Sequence, residues 1–142
     1  MHVAITSDLS TLDRMEGNLS HVEEALESIG AYMEAETILI FENEGPPGAR
    51  WPDLEDATWD QKTGSKILQE QGPLKAGITF QVEGDTVYIG PSGTALPYSR
   101  IQQKGGFAGR GRQVYIPARK YLVITQGNKT YIRGIVQDYI WR

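Results

Sequence analysis

The sequence contains no cysteine and only two histidines, His2 and His21. The first absence removes disulfides, thiolate zinc sites, iron–sulfur clusters and a cysteine nucleophile. The second leaves no histidine pair to share a metal or a proton. His21 stands beside Val22 at the start of a helical stretch and reads as a surface residue rather than a ligand or base. Long hydrophobic runs are missing too. None exceeds four residues, as at Ile38–Phe41, against the ~20 that a bilayer-spanning helix needs. Met1–Thr6 has neither the basic nor the apolar part of a secretory leader, so none is expected. What is present is 142 residues, 39% hydrophobic and 23% charged, which suits one soluble domain, 1–142, long enough to bury a core.

Charge is distributed unevenly. Residues 1–60 hold fourteen acids against Arg14 and Arg50, a net of −12, while residues 61–142 hold twelve Lys/Arg against four acids, a net of +8. The overall −4 argues against a general nucleic-acid binder. A chain of two signs suits head-to-tail association, in which one copy's acidic face meets the next copy's basic face. Neutralisation of the two halves inside one fold is the competing expectation.

Period-2 and period-3.6 patterns give the elements. His2–Thr6 reads as a strand. Leu12, Met15, Leu19, Val22, Leu26, Ile29 and Met33 form a helical stripe. Gly17–Asn18 and the capping box from Ser20 to Glu23 divide it into helices over 8–16 and 20–43. Glu44–Gly64 turns to Gly, Pro, Trp and acid, a long connection with one helical turn near Leu54–Lys62. Order resumes at Ile67–Leu68, and Gln71–Leu74 is a turn. Ile78–Val82 and Thr86–Gly90 form a β-hairpin around Glu83-Gly84-Asp85. Pro91–Pro97 reads as loop, and Tyr98–Lys104 is ambiguous, with one helical turn as a reading. Val114–Ile116 and Tyr121–Ile124 read as strands, and a C-terminal helix runs from about Gln126 through Tyr131, Ile132, Ile135, Val136, Tyr139 and Ile140. The expected fold is α+β: an antiparallel sheet with an N-terminal helix pair and a C-terminal helix packed on one face, and long loops.

Several segments admit a functional reading. Trp51 and Trp59 bracket the acidic loop Pro52–Asp56 and could anchor a neighbouring subunit; covering the core edge is the plainer role. Asp53, Glu55, Asp56 and Asp60 offer oxygen ligands but lack the EF-hand spacing, so no metal or other cofactor is expected. Gly105–Gln113 packs four glycines, Phe107, Arg110 and Arg112 into nine residues. It lacks the Gly-Lys-Ser/Thr ending of a P-loop, and reads as a hairpin tip that orders on a partner, with a DNA contact as the alternative. Gly105–Gln113 and Glu44–Asp60 are both expected to be mobile in the free chain. For subunit contact, the acidic helix residues Glu23, Glu27 and Glu34 are expected near Arg110, Arg112 and Arg119 of a neighbour.

Landmarks then follow in a characteristic order: Phe41, Trp51-Pro-Asp-Leu54, Lys66-Ile-Leu68, Gln71-Gly-Pro-Leu74 and Tyr88-Ile-Gly90. Tyr98-Ser-Arg-Ile-Gln-Gln-Lys-Gly-Gly106, Ile116-Pro-Ala-Arg119 and the closing helix Ile132–Tyr139 complete the series. From about residue 3 to 140 the chain resembles the phage virion morphogenesis (tail completion) family of Mu-like and related contractile-tailed phages. It departs at Gln71, where the family usually has Thr, and from Arg119 on, where Arg119-Lys-Tyr-Leu-Val123 stands for the usual Arg-Pro-Phe-Leu-Gly phrase. The resemblance implies a non-enzymatic virion component, made in the host cytoplasm and built into the neck or tail end. It implies a homo-oligomeric, sixfold ring beside portal, connector and tail-tube proteins, with DNA only as passing cargo and no membrane. The alternative from the residues alone is a nucleic-acid-binding module using the basic second half.

Overall fold

The computed structural model of the chain describes residues 3–6, 19–54, 73–93 and 96–140. The expected short helix over 8–16, its Gly17–Asn18 cap, Trp59, the turn after Leu54 and Ile67–Leu68 lie outside the described residues.

The elements run β1 (Val3–Thr6), α1 (Leu19–Glu42), α2 (Pro73–Ala76), β2 (Ile78–Glu83), β3 (Thr86–Pro91), α3 (Leu96–Lys104), β4 (Gly106–Ala108), a 3-10 turn at Arg110–Arg112, β5 (Val114–Ile116) and α4 (Gln126–Ile140). The class is α+β. One antiparallel sheet has the order β1-β3-β2, and β4 and β5 form a second, separate ribbon. Gly84, at φ +62°, takes the first place of the two-residue β2–β3 turn, where a left-handed backbone matches strand twist. The register stacks Val3, Ile89 and Phe80 in one row and Ile5, Val87 and Val82 in the next. Because side chains alternate along a strand, both rows share a face. Val87 and Ile89 of the central strand are fully buried there.

That face is covered by α1, whose Leu26, Ile29, Met33, Ile40 and Phe41 join Ile78, Val87 and Ile89 in the core. Helix and sheet approach so closely at Gly30 that a Cβ would overlap the Phe80 ring. On its other flank α1 carries α4, through which Ile132, Ile135 and Val136 reach the core. The two helices run antiparallel: Ser28 meets the Tyr139 hydroxyl at 2.9 Å, and Tyr32 stacks on Tyr131 with ring centres 4.2 Å apart. Thr125 and Asn128 cap α4 reciprocally, each main-chain N–H donating to the other's side-chain oxygen. The buried Asn128 amide also donates to the Tyr32 hydroxyl and to Glu36, which leaves none of its polar atoms without a partner.

The C-terminus of α1 reverses the chain. Gly45 N–H donates to Ile40 O and Glu44 N–H to Phe41 O, with Glu44 in the left-handed region at φ +55°. Trp51 N–H then donates to Glu44 O. The first part of the expected mobile connection is therefore tied back to α1.

Two expectations need correction. Tyr121–Ile124, strand-like in composition, joins no ladder. The Gln103 carboxamide accepts from Tyr121 and Leu122 N–H and donates to Leu122 O, so a side chain does what a neighbouring strand would do. The stretch before it is a full helix, Leu96–Lys104, rather than loop and a single turn. Pro97 suits its first turn, where a missing N–H costs nothing.

Gly30→Ala tests the close helix–sheet approach. Alanine is the better helix former by about 1 kcal/mol, yet overpacking against Phe80 is worth about 1–3 kcal/mol the other way. Urea denaturation should show Gly30→Ala less stable than the parent by up to about 2 kcal/mol. In a Phe80→Ala background the same substitution should be neutral or stabilising. Stabilisation in the parent background would show that helix and sheet part there freely.

Candidate assembly surface

The segment Pro117–Leu122 is a strap across the core, and it holds the β4–β5 ribbon at its base. Arg119 N–H donates to Gln102 O of α3, while its buried guanidinium donates to Pro52 O at 2.9 Å and Asp53 O at 3.0 Å. Burial lowers the Arg119 pKa from its usual value and the Asp53 charge pulls it back up. Trp51, itself buried, donates its indole N–H to Lys120 O at 2.8 Å and meets Phe41 edge-on. Tyr121 is wholly buried, 5.4 Å from Phe41 between ring centres, with its hydroxyl donating to Ser99 O. Gly105 closes the base at φ +70°, where a Cβ would run into the Ile116–Ala118 backbone.

Above that base the ribbon projects. Phe107 pairs with Tyr115 across the strands, ring centres 5.4 Å apart, and Ala108 pairs with Val114. Phe107, Val114 and Tyr115 are 62%, 59% and 63% exposed. Alternation along the strands puts Phe107 and Tyr115 on one face and Val114 on the other, so both faces are apolar and open. The tip turns through Gly109, Gly111 and Arg112, all at positive φ, and Arg112 is exposed. Gly105–Gln113 is thus one strand and the tip of a laddered hairpin, as the hairpin-tip reading expects. A solvated two-stranded ribbon has little to stabilise it alone, and grouped exposed aromatics mark contact sites.

A second surface lies on the outer side of α1. Glu23, Glu24 and Glu27 are exposed there, followed by Ala31, Ala35 and Leu39, with Glu34 half-buried between them. A spacing of four sets Glu27, Ala31, Ala35 and Leu39 in one stripe. Leu39 is 49% exposed. The helix carries six glutamates and no Lys or Arg. Glu42 pairs with Lys75 and Glu36 accepts from Asn128. Among the described residues no ion pair engages Glu23, Glu27 or Glu34.

The residues picked out in the sequence therefore separate. Phe107 and Arg112 lie on the projecting hairpin, Arg110 lies in its tip turn with its side chain outside what is described, and Glu23, Glu27 and Glu34 line α1. Trp51 and Arg119 come together, but in the interior as two ends of the strap. Their polar groups are spent on Lys120, Pro52 and Asp53, so Trp51 takes its core-edge role rather than that of an anchor for a neighbour, and Arg119 is corrected from a neighbour contact to an interior one. Tyr115, Val114, Leu39 and Gln103 were not singled out. The Val-Tyr-Ile strand directly after a Gly-Arg turn was the available signal for the first two. Among the described residues no three His, Asp or Glu gather as a metal site, and no helix is long and apolar enough to cross a membrane.

The sequence model of the phage virion morphogenesis family matches residues 4–140. The Mu-like prophage FluMu G protein 2 of Haemophilus influenzae (strain ATCC 51907 / DSM 11121 / KW20 / Rd) is 33% identical over 130 residues, covering 92% of this chain and 86% of that protein. No solved structure matches the chain.

The strap has a pH signature. Burial pushes the Tyr121 phenol up to about 12, its bond to Ser99 acting the other way. In the unfolded chain the phenol ionises near 10. Between these values the unfolded state binds fewer protons than the folded one, so stability falls as pH rises. Tyr121→Phe should cost about 1 kcal/mol at pH 8 through the lost hydrogen bond. Between pH 10 and 12 the gap to the parent should narrow, as read by urea denaturation at each pH. A constant gap would mean the phenol ionises freely in the folded protein.

Proposed function

Because the chain belongs to the phage virion morphogenesis family, and so has a structural role in making phage particles, we propose that it is a non-enzymatic part of the virion neck or tail end. It assembles into a homo-oligomeric ring, sixfold in the form the resemblance implies, that completes the tail and joins it to the head beside portal, connector and tail-tube proteins. The observation that supports this most is the hairpin. A chain of 142 residues with a well-filled core nevertheless exposes Phe107, Val114 and Tyr115 together. Such a surface is costly in a free monomer and useful in one that is always covered after assembly. The two open surfaces, apolar–basic on the hairpin and acidic on α1, differ from one another. Unlike surfaces meet in heterologous contacts, which generate rings when the rotation closes. A nucleic-acid-binding role has less support, since the exposed glutamates of α1 would repel phosphate.

Deletion of the gene from the encoding phage or prophage tests the reading. Induction should yield filled heads and separate, unjoined tails by electron microscopy, with infectious titre reduced at least about a thousandfold. Purified protein added to the lysate should restore joined particles. Normal virions from the deletion would overturn the proposal.

A further inference from the structure

We infer that the β4–β5 hairpin of one copy seats on the outer face of α1 in the next copy. The inference rests on the ring reading above and names its contact. Phe107 and Tyr115, which share one face of the ribbon, cover the strip Ala31, Ala35 and Leu39, and Arg112 at the hairpin tip approaches Glu27 and Glu34.

Three observations carry it. The first is charge. Residues 86–137 contain eight Lys/Arg and not one acid, while α1 contains six glutamates and not one Lys or Arg. Arg112 lies on one of the two open surfaces and Glu23, Glu24, Glu27 and Glu34 on the other, and among the described residues no ion pair engages any of the five. The second is shape. Alanines at 31 and 35 make a low strip on the helix, so an aromatic ribbon can approach the backbone closely between flanking glutamates. Leu39 supplies an apolar end to the strip. The third is length. From Gly106 to Ala108 the paired ribbon runs about 7 Å at ~3.3 Å per residue, short enough to lie within the strip. Ala31 to Leu39 spans about 12 Å at 1.5 Å per residue. A second copy supplies both halves of this match without any further partner.

The charges and the apolar groups do different work in the contact. Opposed exposed charges raise the encounter rate and select orientation, whereas desolvation of the aromatic pair supplies most of the affinity. At 1 M salt the screening length shrinks to about 3 Å, so the steering disappears while the apolar contact persists.

The absence of native cysteine makes the test clean. Tyr115→Cys and Ala35→Cys are placed at exposed positions in separate chains, mixed, assembled and oxidised. The expected product is a disulfide between unlike copies in several-fold excess over either like pair. The double variant should give a ladder of cross-linked multimers, with its largest member the assembled ring. Arg112→Glu should slow assembly about tenfold at low salt and much less at 1 M. Glu27→Arg together with Glu34→Arg should restore the Arg112→Glu chain. Assembly to full size without the mixed disulfide would overturn this contact and leave the ring reading standing. An intramolecular disulfide in monomers of the double variant would show that the hairpin lies on its own helix, and would overturn it too. Monomers at every concentration, with no cross-link, would overturn the contact and the ring reading together.

Discussion

The fold depends on a strap of chain that crosses the core without belonging to any sheet. Every main-chain polar group buried there must find a partner, since an orphan costs about 1–3 kcal/mol. Side chains supply the partners. Gln103 takes both N–H groups of Tyr121 and Leu122 and returns a bond to Leu122 O, and the Trp51 indole takes Lys120 O. Arg119 reverses the relation and satisfies the carbonyls of Pro52 and Asp53 from within the strap. Loss of Gln103 would leave the N–H groups of the buried Tyr121 and Leu122 with nothing in exchange. The strap also joins parts that are far apart in sequence: the exit from α1 at Phe41 and Trp51, the helix α3 and the base of the projecting hairpin.

Periodicity made the larger elements legible. The stripe through Leu26, Ile29 and Met33 fixes the inward face of α1, and the Glu-Gly-Asp turn fixes the β2–β3 hairpin, because each of these signals is local. The strap is not local. Tyr121-Leu-Val-Ile has the β-branched and aromatic content of a strand, and only the presence of Gln103 across the gap decides otherwise. Helix α3 escaped for a related reason: Leu96-Pro-Tyr-Ser-Arg-Ile-Gln-Gln-Lys is mostly polar, so its hydrophobic period is weak, and its helicity is decided by what it packs against. At the candidate surface the acids of α1 and the Gly-Arg tip were readable as charge. Trp51 takes the plainer of its two readings and covers the core edge, whereas Arg119 was misplaced because residue type gives a prior on exposure, not the exposure itself. An arginine beside a lysine looks like surface until a tertiary partner claims it.

Burial divides the aromatic residues into two groups with opposite consequences. Phe41, Trp51 and Tyr121 contact one another in the interior, where edge-on and tilted ring packing adds to the area removed from water. Phe107 and Tyr115 make the same kind of contact in solvent, where most of each ring stays wet. The first group holds the monomer together. The second contributes little until something covers it, and a two-stranded ribbon is not a structure that keeps itself folded for its own sake. The rigid base at Gly105 and the strap explains how the ribbon can persist without such cover. Its conformation is imposed from below, so less ordering entropy remains to be lost when a neighbour arrives.

The same rigidity bears on closure. A heterologous contact repeated from copy to copy closes into a ring only if the rotation between donor and acceptor surfaces has the right value; otherwise it runs on as a filament. In the proposed contact the hairpin would be donor and the outer face of α1 acceptor, and the two are linked by a path through packed groups: Gly105, the strap at Arg119 and Tyr121, then Phe41 at the end of α1. Close-packed interiors transmit strain rather than absorb it, so the packing of Tyr121 against Phe41 would bear on the angle between the two surfaces. Flexibility along that path would let a ring of one size interconvert with others. A buried tyrosine with a satisfied hydroxyl and an arginine fixed by two carbonyls remove that freedom. On this reading the interior polar bonds of the strap do more than avoid a desolvation penalty: they hold the angle at which one copy presents itself to the next.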